Sequence, residues 1–290
     1  MANSQQIKQR IKSAGNIAKI TKAMEMVSAS KMRRAQELAL ATRPYTTALQ
    51  HSLATLAQSD SSGELSHPLL RSHDKGIDVA IVISSDKGLS GSLNPTLFKN
   101  TIEWYKQHQD AQLIAVGRKA VAFATIVGLP VHAQFTDLPD QISLSETLPV
   151  TSLIKEGFLD KKFKTVTIIY MDFISTLVQK VKTTQLLPLP KIPIEEESLT
   201  NKQQEKEYLL EPSAQNILAE LLPYYLENSV FQAFLEAKAS EHSARMVAMK
   251  NASENAGELQ DELTLEFNKT RQAAVTSELL DITTALMAQE

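Results

Sequence analysis

From Tyr224 to the C-terminus the chain contains no proline and one glycine, Gly257. Ala, Leu, Glu, Met, Lys and Gln dominate that stretch, and all are good helix formers. The segment from Glu211 to Glu290 therefore reads as one uninterrupted helix. At 1.5 Å per residue, Ser213 to Met287 would span roughly 110 Å, where the average globular helix has about 11 residues. A rod of that length cannot bury itself in one compact core, so it requires a partner helix.

Met249, Ala252, Ala256, Leu259 and Leu263 step by three and four residues, the spacing that holds one seam against another helix. Ala252 and Ala256 would let two backbones approach closely, and Phe267 and Ala274 extend the seam less regularly. A long amphipathic core helix would show the same stripe, but the length of the run favours a coiled coil.

The other end of the chain supplies a candidate. From Ser4 to Gln58, Ile7, Ile11, Ala14 and Ala18 form one apolar row, and Ile17, Ile20, Met24 and Val27 form an adjacent one. Pro44 should end or bend this helix, because it removes a donor and clashes with the preceding turn. Tyr45 to Ala57 reads as helical again. The charges of the two ends are opposed: residues 1–45 carry nine basic side chains against Glu25 and Glu37, and residues 205–290 carry 15 acidic against 6 basic. Pairing of the two helices, nucleic-acid binding and attraction to an anionic membrane surface all fit that asymmetry.

Between the ends the pattern changes. Ile77–Ile83 is an apolar, β-branched run of strand length. The loop SSDKGLSGSLN follows, with Asn94 placed to cap a helix that begins at Pro95. Leu113–Val116, Arg118–Val127 and Val131–Phe135 repeat strand, helix, strand, as in a mainly parallel sheet covered by helices. A helix over Ser145–Phe158 precedes two strands, Val166–Phe173 and Leu177–Leu187, close enough in sequence to form an antiparallel edge pair. Gln58–Glu64 reads as a polar linker, and Pro188–Gln204, with the acidic run Glu195–Glu197, as a surface connection.

This organisation divides the chain into an N-terminal coiled-coil helix (1–58), a linker (59–75), an α/β domain (76–190), an acidic connection (191–210) and a C-terminal coiled-coil helix (211–290). The α/β domain is thus inserted between two terminal helices.

Function classes narrow quickly. With no cysteine, the chain has no disulfide, thiolate metal site or thiol catalysis, and no apolar run approaches the ~20 residues of a membrane span. The N-terminus MANSQQIKQR lacks a signal-peptide core, so a cytoplasmic location is expected. His51, His67, His73, His108, His132 and His242 show no metal-ligand spacing. Asp86–Ser92 lies between a strand and a helix, where glycine-rich loops cradle phosphate, but lacks both the GxxxxGK[ST] and the GxGxxG order, which favours a structural turn or protein-contact loop. No cofactor and no catalytic residue is expected. Two helical stretches invite a partner instead: Ile20–Gln36, encircled by methionines and basic groups including Lys31 and Arg34, and Asn268–Glu278, rich in directed donors.

Those two stretches, ITKAMEMVSASKMRRAQ and SEHSARMVAMKNASENAGELQDELTLEFNKTRQAAVTSEL, closely resemble the gamma-subunit family of bacterial F-type ATP synthases. The loop SSDKGLSGSLN is similar to that family's SSDRGLCG pattern, and order and lengths agree over nearly the whole chain. The resemblance implies a long antiparallel coiled coil of the N- and C-terminal helices with a Rossmann-like α/β domain inserted between them. It implies the central rotor shaft, inside a ring of three alpha and three beta subunits, with epsilon, delta and the c-ring as further partners. The shaft would sit peripherally on the cytoplasmic face of the inner membrane and couple proton-driven rotation to ATP synthesis on other chains.

By the same resemblance Met24 lies near the lever region of beta, Lys87 approaches that acidic region, and Arg271 with Gln272 contacts the catch loop. Lys31, Arg34, Arg245, Thr276 and Glu278 complete the expected partner-contact set. The sequence departs from the family at Ser90, which stands where cysteine is usual, at Pro223 within the expected helix, and in the ending ITTALMAQE. The alternatives are a structural or nucleic-acid-binding coiled-coil adaptor, and a small-molecule enzyme built on the α/β insertion.

Overall fold

The computed structural model describes residues 2–59, 67–108, 110–189, 211 and 213–287. The expected linker beyond Ser59 and nearly all of the acidic connection lie outside them. The chain divides into two compact units, one of residues 1–29 with 245–290 and one of residues 30–244. Two helices run through both: α1 (Ala2–Ser59) and α5 (Ala214–Met287). Pro44 does not end α1, and Pro223 lies within α5.

The larger unit is built on five strands: β1 (Ile77–Ile83), β2 (Gln112–Val116), β3 (Val131–Phe135), β4 (Phe163–Phe173) and β5 (Gln179–Leu187), in the order β3-β2-β1-β4-β5. β1 pairs in parallel with β2 and β4, β2 in parallel with β3, and β4 with β5 antiparallel, as the short connection predicts. Helices α2 (Leu93–Gln107), α3 (Arg118–Val127) and α4 (Leu144–Leu159) link the parallel strands. Because side chains alternate across a strand, the central strands feed two cores. Val79, Ile81, Ile114, Val116, Val166 and Ile168 pack with Ile154 and Phe158 of α4 and with Leu222, Leu226 and Phe234 of α5. Ala80, Val82, Ala115 and Ile169 pack with Leu97 and Trp104 of α2 and Ala120 and Ala124 of α3. Each large side chain so buried contributes about 1.5–3 kcal/mol relative to exposure. At Gly157 a Cβ would meet the Phe163 ring at 2.2 Å, so α4 can lie this close to β4 only with glycine there.

Several local expectations shift. α2 begins at Leu93 with Ser92 before it, and Asn94 sits inside the first turn, its amide donating to Ser85 Oγ at 2.8 Å. Asn94 therefore braces the preceding loop instead of capping the helix. β4 begins at Phe163, three residues earlier than expected, and Leu177 and Val178 lie exposed in the β4–β5 turn.

Within the smaller unit α1 and α5 pair. Ser253 Oγ donates to the Ala18 carbonyl at 3.1 Å, and a Cβ on Gly15 would meet the Gln260 side chain at 3.0 Å. Partner numbers fall on α5 as they rise on α1, so the pairing is antiparallel. The buried positions of α1 are Ile7, Ala14, Thr21 and Ser28, and those of α5 are Arg245, Met249, Ala256 and Leu263, with the α1 set and the three apolar α5 positions in steps of seven. The second apolar row is largely outside: Ile17, Ile20 and Val27 are more than half exposed, as is Met26. Leu259 is likewise 48% exposed and leaves the seam to Gln260 and Leu263. A strict seven-residue seam is narrower than the sequence stripe, because only small or polar Ala14, Thr21 and Ser28 allow the helices to close.

In the larger unit the same two helices pair again. Thr42 Oγ1 donates to Gln232 at 2.6 Å, Arg43 meets Glu236 at 3.4 Å, the Tyr45 and Tyr224 rings meet edge to face at 6.0 Å, and Gln50 donates to Tyr225 at 3.3 Å.

Candidate functional site

The middle loop answers the question of chemistry first. Asp86 Oδ1 accepts from the backbone N–H of Arg118 at 2.9 Å and of Asp137 at 3.4 Å, and Ser84 Oγ accepts from Ala120 N–H at 2.8 Å. First N–H groups of α3, an anion-binding place in such folds, are thus met by the chain's own side chains, and at α2, which follows the loop, Leu93 N–H donates to the Ser90 carbonyl at 3.3 Å. Gly117 (φ 89°) makes this closeness possible, since a Cβ there would lie 2.4 Å from the Ser84 carbonyl oxygen.

The crevice beyond the carboxyl ends of β1 and β2, where open α/β sheets bind ligands, is lined by Ser84, Ser85, Asp86, Val116 and Gly117 and closed by Phe234, Ala237, Lys238 and Glu241 of α5. About 10 Å³ of space remains, room for roughly one water. Among the described residues no group of His, Asp and Glu is arranged to hold a metal ion, and no helix is long and apolar enough to cross a membrane.

The expected partner-contact residues occupy different settings. Arg271, Gln272, Thr276 and Glu278 are all exposed on α5, brought together by one helix, with Thr276 Oγ1 donating back to the Gln272 carbonyl at 2.9 Å. Met24 is half-buried and Arg34 exposed on α1. Lys87 is exposed in the β1–α2 loop, on a different element from the others. Arg245 is buried. Lys31 is engaged within the chain, its Nζ 2.5 Å from Asp140 Oδ2. Burial alone would raise the Asp140 carboxyl, but the hydrogen bond and charge of Lys31, with His242 and Lys238, hold it below the usual carboxylate range.

Sequence reasoning missed two groups. The first is the exposed apolar set: Ile17, Ile20, Met26 and Val27 on α1, and Leu265, Val275, Leu279, Leu280 and Ile282 on α5. On α1 its signal was the second apolar row together with the methionines of Ile20–Gln36, the stretch that invites a partner. Beside it an open groove of about 400 Å³ runs past Ala18, Lys19, Lys22, Met26 and Ser253. The second is a set of buried polar residues on α5, Gln232, Glu236, Lys238, Glu241 and His242, which periodicity gave no reason to place inside.

A family model described as ATP synthase matches residues 3–288. The ATP synthase gamma chain of Dehalococcoides mccartyi (strain ATCC BAA-2266 / KCTC 15142 / 195) is 43% identical over 283 residues, 97% of either chain. That of Pelotomaculum thermopropionicum is 40% identical over 291 residues, 100% of either chain. Among solved structures, a chain of the Euglena gracilis mitochondrial ATP synthase (OSCP/F1/c-ring, rotational state 3) shares the fold with a TM-score of 0.68 at 18% identity, over 99% of this chain and 95% of that one. A chain of the Tetrahymena thermophila mitochondrial ATP synthase central stalk and c-ring has a TM-score of 0.60 at 23% identity, over 81% of this chain and 99% of that one.

Proposed function

The chain belongs to the ATP synthase gamma-chain family, and on that premise we propose that it is the central rotor shaft, coupling proton-driven rotation of a c-ring to ATP synthesis at sites on beta subunits. It contributes no reacting group. Its partners are the alpha and beta subunits around the helices and the epsilon and delta subunits and c-ring within the complex, on the cytoplasmic face of the inner membrane. One observation carries the reading: α5 from residue 271 to 284 is exposed throughout, yet displays Val275, Leu279, Leu280 and Ile282 beside Arg271 and Gln272. Apolar surface of that extent on a long helix calls for a partner.

A shaft with different faces acts by differential contact. Each beta subunit meets another side of α1 and α5, and those unequal contacts bias its site toward an open or a closed state. Met24, Arg34, Lys87, Arg271, Gln272, Thr276 and Glu278 supply contacts of that kind. Lys31 and Arg245 belong to the same proposed set, with Lys31 acting from its pairing with Asp140. Full-length relatives at about 40% identity are gamma chains, and the adaptor alternative draws no support from them. The enzyme alternative faces a crevice already closed by α5.

The test is reconstitution with alpha and beta subunits. The wild-type chain should co-elute with them on gel filtration and activate steady-state ATP hydrolysis. Arg271→Ala with Gln272→Ala should leave helicity of the free chain unchanged, since alanine is the best helix former. It removes charge-assisted hydrogen bonds worth about 1.5–3 kcal/mol, and so should slow hydrolysis by roughly tenfold or more. Unchanged turnover at matched subunit content would remove both residues from the contact set.

A further inference from the structure

Most of the surroundings of α5 in the larger unit are apolar: Val230, Ala233, Phe234 and Ala237 pack into the core beneath the sheet. Hydrophobic contact is non-directional. A slide of α5 by one turn, about 5.4 Å, would bring Val230 or Lys238 to the place of Phe234. Directed bonds add to that loss of packing a penalty that marks one register.

Glu236 is a buried carboxylate whose partners come from three elements. Its Oε2 accepts from Tyr170 Oη of β4 at 2.9 Å. Its Oε1 accepts from Gln232 Nε2 of α5 at 2.9 Å and from Arg43 Nη2 of α1 at 3.4 Å. The partners are themselves fixed: Arg43 also donates to the Phe173 carbonyl at 3.3 Å, and Gln232 bonds Thr42 Oγ1 at 2.6 Å and the Ala39 carbonyl at 3.2 Å. Asp172 completes the set. Burial and the neighbouring Glu236 raise its carboxyl, whereas Glu236, despite burial, is held low by Gln232, Asp172 and Tyr170. Lys182 is the further cation near both carboxyls, its Nζ 5.9 Å from the centre of the Tyr170 ring.

We propose that Glu236 is a positioning residue that sets the axial and rotational register of α5 against α1 and β4, and so fixes which faces of the shaft its partners meet. A buried carboxylate is satisfied only where these donors converge, and every slipped register leaves it inside without them. The network specifies one arrangement more than it adds stability, in the way that a polar residue within an apolar helix seam does. The consequence for coupling rests on the rotor reading. The register itself does not.

The test uses the full-length chain, which has no native cysteine. Gln50→Cys is combined in turn with Leu221→Cys, Tyr225→Cys or Ser229→Cys and bridged with a short bis-maleimide. With Glu236 in place, bridging to position 225 should exceed that to 221 and 229 by roughly a hundredfold, because slipped registers strand a buried charge. Glu236→Leu, which leaves the buried Tyr170 hydroxyl without its acceptor, should retain helicity at a lower melting temperature and lower the preference to about tenfold or less. Glu236→Gln, which can still accept from Tyr170 and Gln232, should restore most of it, and Tyr170→Phe should weaken it partly.

In the reconstituted membrane enzyme, Glu236→Leu should reduce protons pumped per ATP hydrolysed while hydrolysis continues. An unchanged preference for position 225 in Glu236→Leu overturns the proposal. So does Glu236→Leu that unfolds while Tyr170→Phe keeps the full preference, since that pattern marks a purely structural residue. Loosened register with unaltered pumping overturns the link to coupling. If the wild-type chain also fails to co-elute with alpha and beta subunits and to activate their hydrolysis, the rotor reading is what has failed.

Discussion

Residues 232–243 of α5 are buried and residues 271–284 are exposed, although one continuous helix carries both. Their compositions run against their settings. The buried part includes Gln232, Glu236, Lys238, Glu241 and His242, and the exposed part includes Val275, Leu279, Leu280 and Ile282. Hydrophobicity alone would have reversed the assignment. Lys238 and Glu236 are accommodated inside by intrachain partners, Lys238 by Glu241 at 3.6 Å and Glu236 by Tyr170. On the proposed rotor reading, the apolar side chains stand outside because the surface that covers them is on other chains.

The largest expected effect separates the two parts by stability. Phe234 is 1% exposed in the main core, and Phe234→Ala should cost the isolated chain about 3–5 kcal/mol. Leu279→Ala, at a position 59% exposed, should change it by no more than about 0.5 kcal/mol. Urea unfolding of both variants measures the difference, and equal losses would dissolve the contrast. In the complex the order should invert, with Leu279→Ala weakening association that Phe234→Ala disturbs only through folding.

A smaller effect sharpens the comparison through pH. Lys31 and Asp140 tie α1 to the β3–α4 connection, with His242 of α5 3.7 Å from Asp140. Because the folded Asp140 carboxyl is lowered, the pair stabilises the fold above the unfolded carboxylate range, near pH 4, and that contribution is lost as pH falls through the lower folded value. Asp140 is 42% exposed, so the effect is small. Wild type should melt slightly above Asp140→Asn at pH 7 and together with it well below pH 4. A gap that persists in acid would mean that Asp140 acts through packing.

Much of the fold was legible. A helix at about Arg118–Val127 was expected from the strand–helix alternation and is found, bracketed by Gly117 and Gly128, both with positive φ. Val131–Phe135 followed from the same alternation. The β4–β5 hairpin was read one turn too generously, since Leu177 and Val178 look like strand but sit where Ser175 and Val178 close a turn. The helix pair was legible as a pair but not in its register. Two apolar rows on α1 compete for one seam, and the small residues Ala14 and Ser28 win because close approach matters more there than side-chain area. Of the proposed contacts, the stretch from Arg271 to Glu278 stood out in the sequence as donors beyond what a coiled-coil exterior needs. Glu236 was invisible, because nothing local marks a helical glutamate whose partners come from residue 43 and from residues 170 and 172.

The rotor account is tested most directly by watching the shaft turn. Leu177, 78% exposed in the β4–β5 turn, can be changed to the chain's single cysteine and used to attach a bead after reconstitution with alpha and beta subunits. During ATP hydrolysis the bead should rotate in one direction, pausing once for each beta subunit in every turn. Sustained hydrolysis by the same complexes with a bead that only fluctuates about a fixed angle would contradict the account.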